Sequence, residues 1–278
     1  MNSKIWLITG CSSGLGRALV EAALAAGHRV IATARDRRSI ADLERTDCCH
    51  VMELDVTDAA AIPAVIRAAT AVWDGLDVLV NNAGYGLLGA VEECSDEQIR
   101  RNMETNFFGP LNVIRAVLPL FRAQKRGLIV NVSAAAAIAN YAGFGVYGAA
   151  KAALEWMSES VRLEVAPLGI RVLLVQPGPF RTDFIRRSLD RAPRRLDEYD
   201  RTSGRFARML ETMDGKQPGD PARAAQAILA AVASEAPPLR LVLGKYANDK
   251  ARRRSLDTEH ERAAWEAVGL PTDFSITP

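Results

Sequence analysis

The chain has 278 residues, 49% of them hydrophobic and 24% charged, enough to bury a sizeable core as one large α/β domain or two smaller ones. Its 35 basic and 33 acidic residues leave a net charge of +2, which gives no overall electrostatic reason to expect nucleic acid as a partner. Cys11, Cys48, Cys49, Cys94 and the three histidines lack metal-ligand spacing, and no apolar run or signal-peptide pattern points to a membrane, so the expectation is a metal-free cytoplasmic protein.

Taken in chain order, short apolar runs alternate with helical patterns. Lys4–Thr9 reads as a buried strand, followed by a glycine-rich turn and a helix over Leu15–Ala26. Strands follow at Arg29–Ala34 and Val51–Leu54, with a helical stretch at Ser39–Arg45 between them, and then a helix at Ala59–Trp73. Strand Val78–Val80, helix Asp96–Arg122, strand Leu128–Val132, helix Gly148–Val165 and strand Arg171–Val175 continue the rhythm. Helix Pro221–Ser234 and strand Leu239–Leu243 complete it. Such alternation predicts an α/β fold, a doubly wound parallel sheet of about seven strands with helices on both faces.

Residues 180–219 break the rhythm, rich in Arg, Asp, Ser and Gly. They read either as a surface insertion or as a lid over a substrate, and their place after a sheet strand favours the lid. Phe184, Ile185, Leu189, Leu196, Tyr199, Phe206, Met209 and Leu210 could meet an apolar substrate or simply dock that segment. After Lys245 the pattern is one charged helix, with Trp265, Leu270 and Phe274 available to hold it down. The expected layout is a single Rossmann-fold domain over 1–244 and a helical extension over 245–278 packed on it.

Two constellations carry chemistry. The turn Thr9-Gly10-Cys11-Ser12-Ser13-Gly14-Leu15-Gly16 lies between a predicted strand and a predicted helix, the context of a dinucleotide site. Gly10 permits the tight turn, while Gly14 and Gly16 let backbone N–H groups approach a pyrophosphate. Tyr147 and Lys151, four apart, share one helix face, where an ammonium beside a phenol favours the phenolate and allows proton transfer.

With Asn81-Asn82-Ala83-Gly84, Tyr147-x-x-x-Lys151 and Pro177-Gly178, the Gly-x-x-x-Gly-x-Gly turn resembles that of the short-chain dehydrogenase/reductase family, in its shorter, single-domain branch. The resemblance runs from about Lys4 to about Leu243. It implies a nicotinamide cofactor held by Gly10, Ser12, Ser13, Gly14, Leu15 and Gly16, with Asp55 and Val56 at the adenine and Asn82, Ala83 and Gly84 at the adenosine ribose. Ala34 stands where NAD-preferring members often carry an acid, and Arg35 follows. A guanidinium there suits a 2′-phosphate, so NADP(H) is expected over NAD(H), with Arg37 and Arg38 adding positive potential. Past Pro177 and Gly178, Thr182 would hold the nicotinamide carboxamide. Asn106 would hold a water linked to Lys151, and Lys151 would also bind the nicotinamide ribose. The resemblance further implies a small-molecule carbonyl or alcohol substrate and a homodimer or homotetramer.

One position departs from the family. Its members carry a Ser roughly thirteen residues before the Tyr, and that count lands on Ala134. Ser133 is one residue early, and neighbouring strand side chains point to opposite faces. Three explanations stand: an engineered Ser→Ala change at 134, a natural lack of the Ser, or a shifted register that lets Ser133 substitute. The leading expectation is an NADP(H)-dependent oxidoreductase interconverting a ketone or aldehyde with an alcohol, attenuated by Ala134. The alternatives are a cofactor-binding regulator, or a non-redox epimerase or dehydratase.

Overall fold

The computed structural model describes residues 3–274. Its centre is a seven-stranded parallel sheet in the order β3-β2-β1-β4-β6-β7-β9. The strands are β1 (Ile5–Ile8), β2 (Arg29–Ala34), β3 (Cys49–Glu53), β4 (Val78–Asn81), β6 (Gly127–Val132), β7 (Ile170–Pro177) and β9 (Arg240–Leu243). β1 and β4 are buried along their whole length, which is why they read as continuous apolar runs rather than alternating ones. A two-stranded parallel ribbon, β5 (Gly86–Leu88) with β8 (Leu189–Arg191), joins the segment after β4 to the predicted lid.

Two apolar layers close the sheet. On one face, Leu19, Val20 and Ala23 of α1 (Gly14–Ala25) pack with Ala224, Ala225 and Ile228 of α9 (Pro221–Ala233) over Trp6 and Ile8. On the other, α2 (Ile62–Ala71), α4 (Gly109–Gln124) and α6 (Gly145–Val165) bury Ile66, Val113, Val117, Phe121 and Val161 over Leu7 and Leu79. Pairing runs outward from β1 to β2 and β3, then returns to β4 on the other side of β1. That reversal leaves a crevice at the carboxyl ends of β1 and β4, the place where open α/β sheets bind ligands.

Several expectations need correction. Residues 37–43 form a 3₁₀ turn, N-capped by the Asp36 carboxylate on the Arg38 N–H, rather than an α-helix. The helix expected over Asp96–Arg122 is broken: α3 (Asp96–Met103) passes through a π-helical turn at Glu104–Phe108 before α4 begins. Pro110 has no N–H to give to the carbonyl of Asn106 four residues back, so the α-helical ladder cannot run through unchanged. The Ala-rich loop after β6 holds a short helix, α5 (Ala135–Ile138).

The segment expected as a lid comprises α7 (Phe184–Arg187), β8 and α8 (Arg205–Met213). The largest difference is α10 (Lys245–Gly269). Ala247 is buried near its start, but residues 252–274 are exposed, with Trp265 at 69% and Phe274 at 99%, so Trp265, Leu270 and Phe274 are not buried against any of the described residues. Charged residues surround the helix and pair along it, Arg262 with Glu259 and Glu266, leaving no continuous apolar stripe to bury. Among the described residues, no helix is long and apolar enough to cross a membrane, and no cluster of three or more His, Cys, Asp or Glu side chains could hold a metal.

Candidate active site

The crevice opens into one cavity of about 1010 Å³, running from the glycine turn to the lid. Gly10 (φ +71°) and Gly14 (φ +60°) adopt left-handed backbone that a side chain would strain. Ser13 caps α1 by backbone geometry alone and leaves the first N–H groups of that helix without a side-chain partner. An anion is therefore suited to that end. Ser12, Ser13 and Leu15 line the cavity with Gly10 and Gly14, whereas Gly16 is buried behind the turn. The turn is braced from β4: Thr9 Oγ1 accepts from the Asn82 and Ala83 N–H groups, each at 3.0 Å. Asn82 Nδ2 donates to the carbonyls of Thr9 and Gly10 at 2.9 and 3.0 Å.

At the next strand end, Arg35 lines the cavity and makes no ion pair among the described residues. Arg38 is not free to add potential there, because its guanidinium bridges both oxygens of Asp36 at 3.0 Å. Arg37 leans on Glu44 at 3.8 Å. Asp55 and Val56 line the same end, and Asp55 Oδ1 fixes its loop by accepting from the N–H and hydroxyl of Thr57. The donor set, two left-handed glycines, an open helix N-terminus and a free guanidinium, fits the phosphates of a dinucleotide.

The predicted proton-transfer residues converge at the far end. Tyr147 and Lys151 lie on one face of α6, both buried. Lys151 Nζ donates to the Val132 carbonyl at 3.0 Å, which anchors it to the end of β6. Burial pulls its ammonium down to about 8, and the nearby Glu155 carboxylate opposes that fall. Burial also pushes the Tyr147 phenol above its ordinary value, the reverse of what pairing with Lys151 alone would do. Asn106, in the π-helical turn, donates through Nδ2 to the carbonyls of Tyr85 and Asn102, while its Oδ1 is fully buried and unpartnered. A Cβ on Gly84 would stand 2.6 Å from that Oδ1 and 3.1 Å from Lys151 Nζ, so both polar atoms flank one small gap.

Ala134 sits beside Tyr147 in extended backbone, packed with Leu88, Phe144 and Leu210. Ser133 lines the cavity, but its hydroxyl donates to the Glu155 carboxylate. The register shift that would let Ser133 substitute is therefore absent. Pro177, Gly178 and Thr182 line the opposite wall, and Thr182 meets the glycine turn: a Cβ on Gly14 would lie 3.3 Å from its Cβ.

The outer cavity is aromatic. Tyr141 stacks on Phe206 with ring centres 4.9 Å apart, and Phe144 meets both Phe206 and Tyr147 edge-on. Phe184, Ile185, Leu189, Met209 and Leu210 of the lid also line it. Leu196 and Tyr199 do not; Tyr199 instead donates to Glu92 at 2.6 Å, docking residues 180–219 on the body. Sequence reading missed Thr9, Tyr141, Phe144, Gln217 and Tyr246. Only Thr9 carried a signal, as the residue opening the glycine turn.

Comparisons with known proteins agree with this geometry. The short chain dehydrogenase family profile matches residues 4–192. Oxidoreductase BOA17 of Botryotinia fuckeliana is 34% identical over 271 residues, covering 96% of this chain and 98% of its own. The solved structure of a short-chain dehydrogenase from Streptomyces avermitilis superposes with a TM-score of 0.92 at 41% identity, covering 98% of this chain and 99% of its own. A Burkholderia cenocepacia short chain dehydrogenase solved in complex with NADP gives 0.74 at 28% identity, over 95% of this chain and 97% of its own. By fold, motifs and these likenesses, the chain belongs to the short-chain dehydrogenase/reductase family of oxidoreductases.

Proposed function

We propose that the chain is an NADP(H)-dependent oxidoreductase interconverting a ketone or aldehyde with an alcohol. The observation that carries this reading is that Tyr147 and Lys151 line the same cavity as the glycine turn, with Asn106 Oδ1 buried behind Gly84 on the Lys151 side. The NADP-bound relative supports a nicotinamide cofactor, and the unpaired Arg35 at the end of β2 supports the phosphorylated form.

When bound, the nicotinamide cofactor supplies the hydride for reduction or accepts it for oxidation. Tyr147 gives its proton to the substrate oxygen in reduction; burial keeps the phenol protonated at neutral pH, the form a general acid needs. Lys151, fixed by Val132 and buried on the same face of α6 as Tyr147, carries the positive charge that would favour a phenolate there. Asn106 Oδ1 is available to accept from a water beside Lys151, giving a route for the replacement proton. Ala134 offers no donor to the substrate oxygen, a lack that typically costs about 10²–10³ in rate. A cofactor-binding regulator is favoured by that one residue alone.

The aromatic outer cavity suits a mid-sized apolar or cyclic carbonyl compound. The test is NADPH consumption across a panel of such carbonyls, comparing the parent with Tyr147→Phe. Turnover should fall by about 10²–10⁴ in the variant. Near-parental activity in Tyr147→Phe would sink the mechanism, and tight NADPH binding without consumption by the parent would favour the regulator.

A further inference from the structure

Gln217 is 2% exposed, yet neither its Nε2 nor its Oε1 has a hydrogen-bond partner among the described residues. Its residue lines the cavity. A buried side chain with both a donor and an acceptor unsatisfied is costly, and native structures keep few of them without a reason. Asn106 Oδ1 is explained by the water it can hold; nothing in the mechanism above uses Gln217.

Its position narrows what it meets. Residues 217–219 run alongside the segment after Pro177–Gly178: the Gly219 N–H donates to the Pro179 carbonyl at 3.1 Å, and the Arg181 N–H donates to the Gly219 carbonyl at 2.8 Å. Arg181 Nε donates to the Gln217 carbonyl at 3.3 Å. Gln217 is thus fastened to the loop carrying Thr182, which itself abuts Gly14 of the glycine turn. That is the cofactor's wall of the cavity, while Tyr141, Phe144 and Phe206 form the aromatic part.

Chemistry narrows it further. A primary amide presents an acceptor and a donor side by side, and one partner that offers the complementary pair satisfies both at once. Phosphate oxygens and a substrate carbonyl only accept. A carboxamide does both, at matching spacing. We infer that Gln217 is a nicotinamide-binding residue whose side-chain amide pairs head to tail with the cofactor's carboxamide. The inference rests on the cofactor reading above and adds a residue to it from the far end of the lid. The pairing removes two orphaned groups at once.

Direct binding tests it without turnover. NADPH affinity is measured by titration calorimetry for the parent and for Gln217→Leu, alongside 2′-phospho-ADP-ribose, which lacks the nicotinamide, and the 3-acetylpyridine analogue of NADP, which lacks the carboxamide N–H. Gln217→Leu should bind NADPH about 10- to 100-fold more weakly and 2′-phospho-ADP-ribose as the parent does. The parent should discriminate against the acetylpyridine analogue, and the variant should not. The unliganded variant should melt no lower than the parent, because leucine removes two orphaned polar atoms. Unchanged NADPH affinity would overturn the inference and leave Gln217 to the substrate or to packing. Equal losses for NADPH and 2′-phospho-ADP-ribose would overturn it as general damage to the loop. A parent that binds neither NADPH nor NADH would instead remove the cofactor reading, and this inference with it.

Discussion

Ser133 donates its hydroxyl hydrogen to the buried carboxylate of Glu155, which also receives Gln176 Nε2 at 2.9 Å from each oxygen. The hydroxyl next to Ala134 is therefore committed to the sheet–helix junction. Ala134 lies in the same buried cluster as Tyr147 and is also the residue capping α5, with no side-chain bond to that helix. Ala134→Ser supplies an O–H donor for the substrate oxygen and an oxygen to accept from an α5 N–H, and the two uses do not compete. Turnover should rise by about 10²–10³, and stability by about 0.5–1 kcal/mol. Ser133→Ala should leave kcat at the parental level and cost about 1.5–3 kcal/mol of stability, the worth of a hydrogen bond to a charged group. Steady-state kinetics and urea unfolding of both variants check this; a large kcat loss in Ser133→Ala would show that Ser133 acts in the reaction after all.

Lys151 sets a pH limit. Its ammonium titrates near 8, pulled down by burial and partly held up by Glu155 one helical turn away. The Val132 carbonyl and Asn106 Oδ1 face it from the other elements, and Arg240 approaches Glu155 at 3.7 Å from β9. Below about 8 the cation is present and the reductive reaction has its charge; as pH rises through that value, reductive turnover should decline. Glu155→Gln removes the opposing carboxylate, so the decline should begin at lower pH. Stability moves the other way. The unfolded lysine holds its proton to its ordinary value of 10.5, so folding stability should climb between about 8 and 10.5, and Lys151→Met should lose that climb. Rate and unfolding profiles across that range decide; a limb unmoved in Glu155→Gln would remove the electrostatic link.

Arg35 is the cavity-lining cation left unpaired at the end of β2, since Arg38 is taken by Asp36 and Arg37 leans on Glu44. Arg35→Ala should weaken NADPH binding by about 10- to 100-fold, as expected for one charge-assisted phosphate contact, while NADH binding stays put. Titration with both nucleotides reads this directly. Equal losses would place Arg35 on a group the two share.

The sheet was legible because strands covered on both faces cannot alternate, so Ile5–Ile8 and Val78–Asn81 appear as apolar runs. The glycine turn and the Tyr147–Lys151 spacing were legible because both are local. Strand alternation also foretold that Ser133 and Ala134 would diverge. What escaped was set by distance. The π-helical turn around Asn106 hides within one helical pattern, although Pro110 marks where the ladder must give way. Gln217 lies 35 residues beyond Thr182, and only the pairing of Gly219 with Pro179 and Arg181 brings it to that loop. Trp265 and Phe274 look like docking residues by type, yet no apolar stripe along α10 gives them a face to use.

Trp156 and Leu163 are each 71% exposed and lie seven residues apart on α6, two turns along one face, while Tyr147 and Lys151 occupy the buried face of the same helix. Two large apolar side chains in one row mark a surface suited to a second copy of the chain. We expect the protein to assemble as a homodimer or homotetramer through this face, with α6 braced between the partner on one side and the active site on the other. Trp156→Glu with Leu163→Glu should place charge in that contact and shift the protein to monomer, with weaker turnover because the helix carrying Tyr147 and Lys151 loses its support. Sedimentation velocity reads the mass, and a concentration series of the parent separates assembly from folding, since dilution should mimic the double variant. A parent that sediments as a monomer at all concentrations would end the idea.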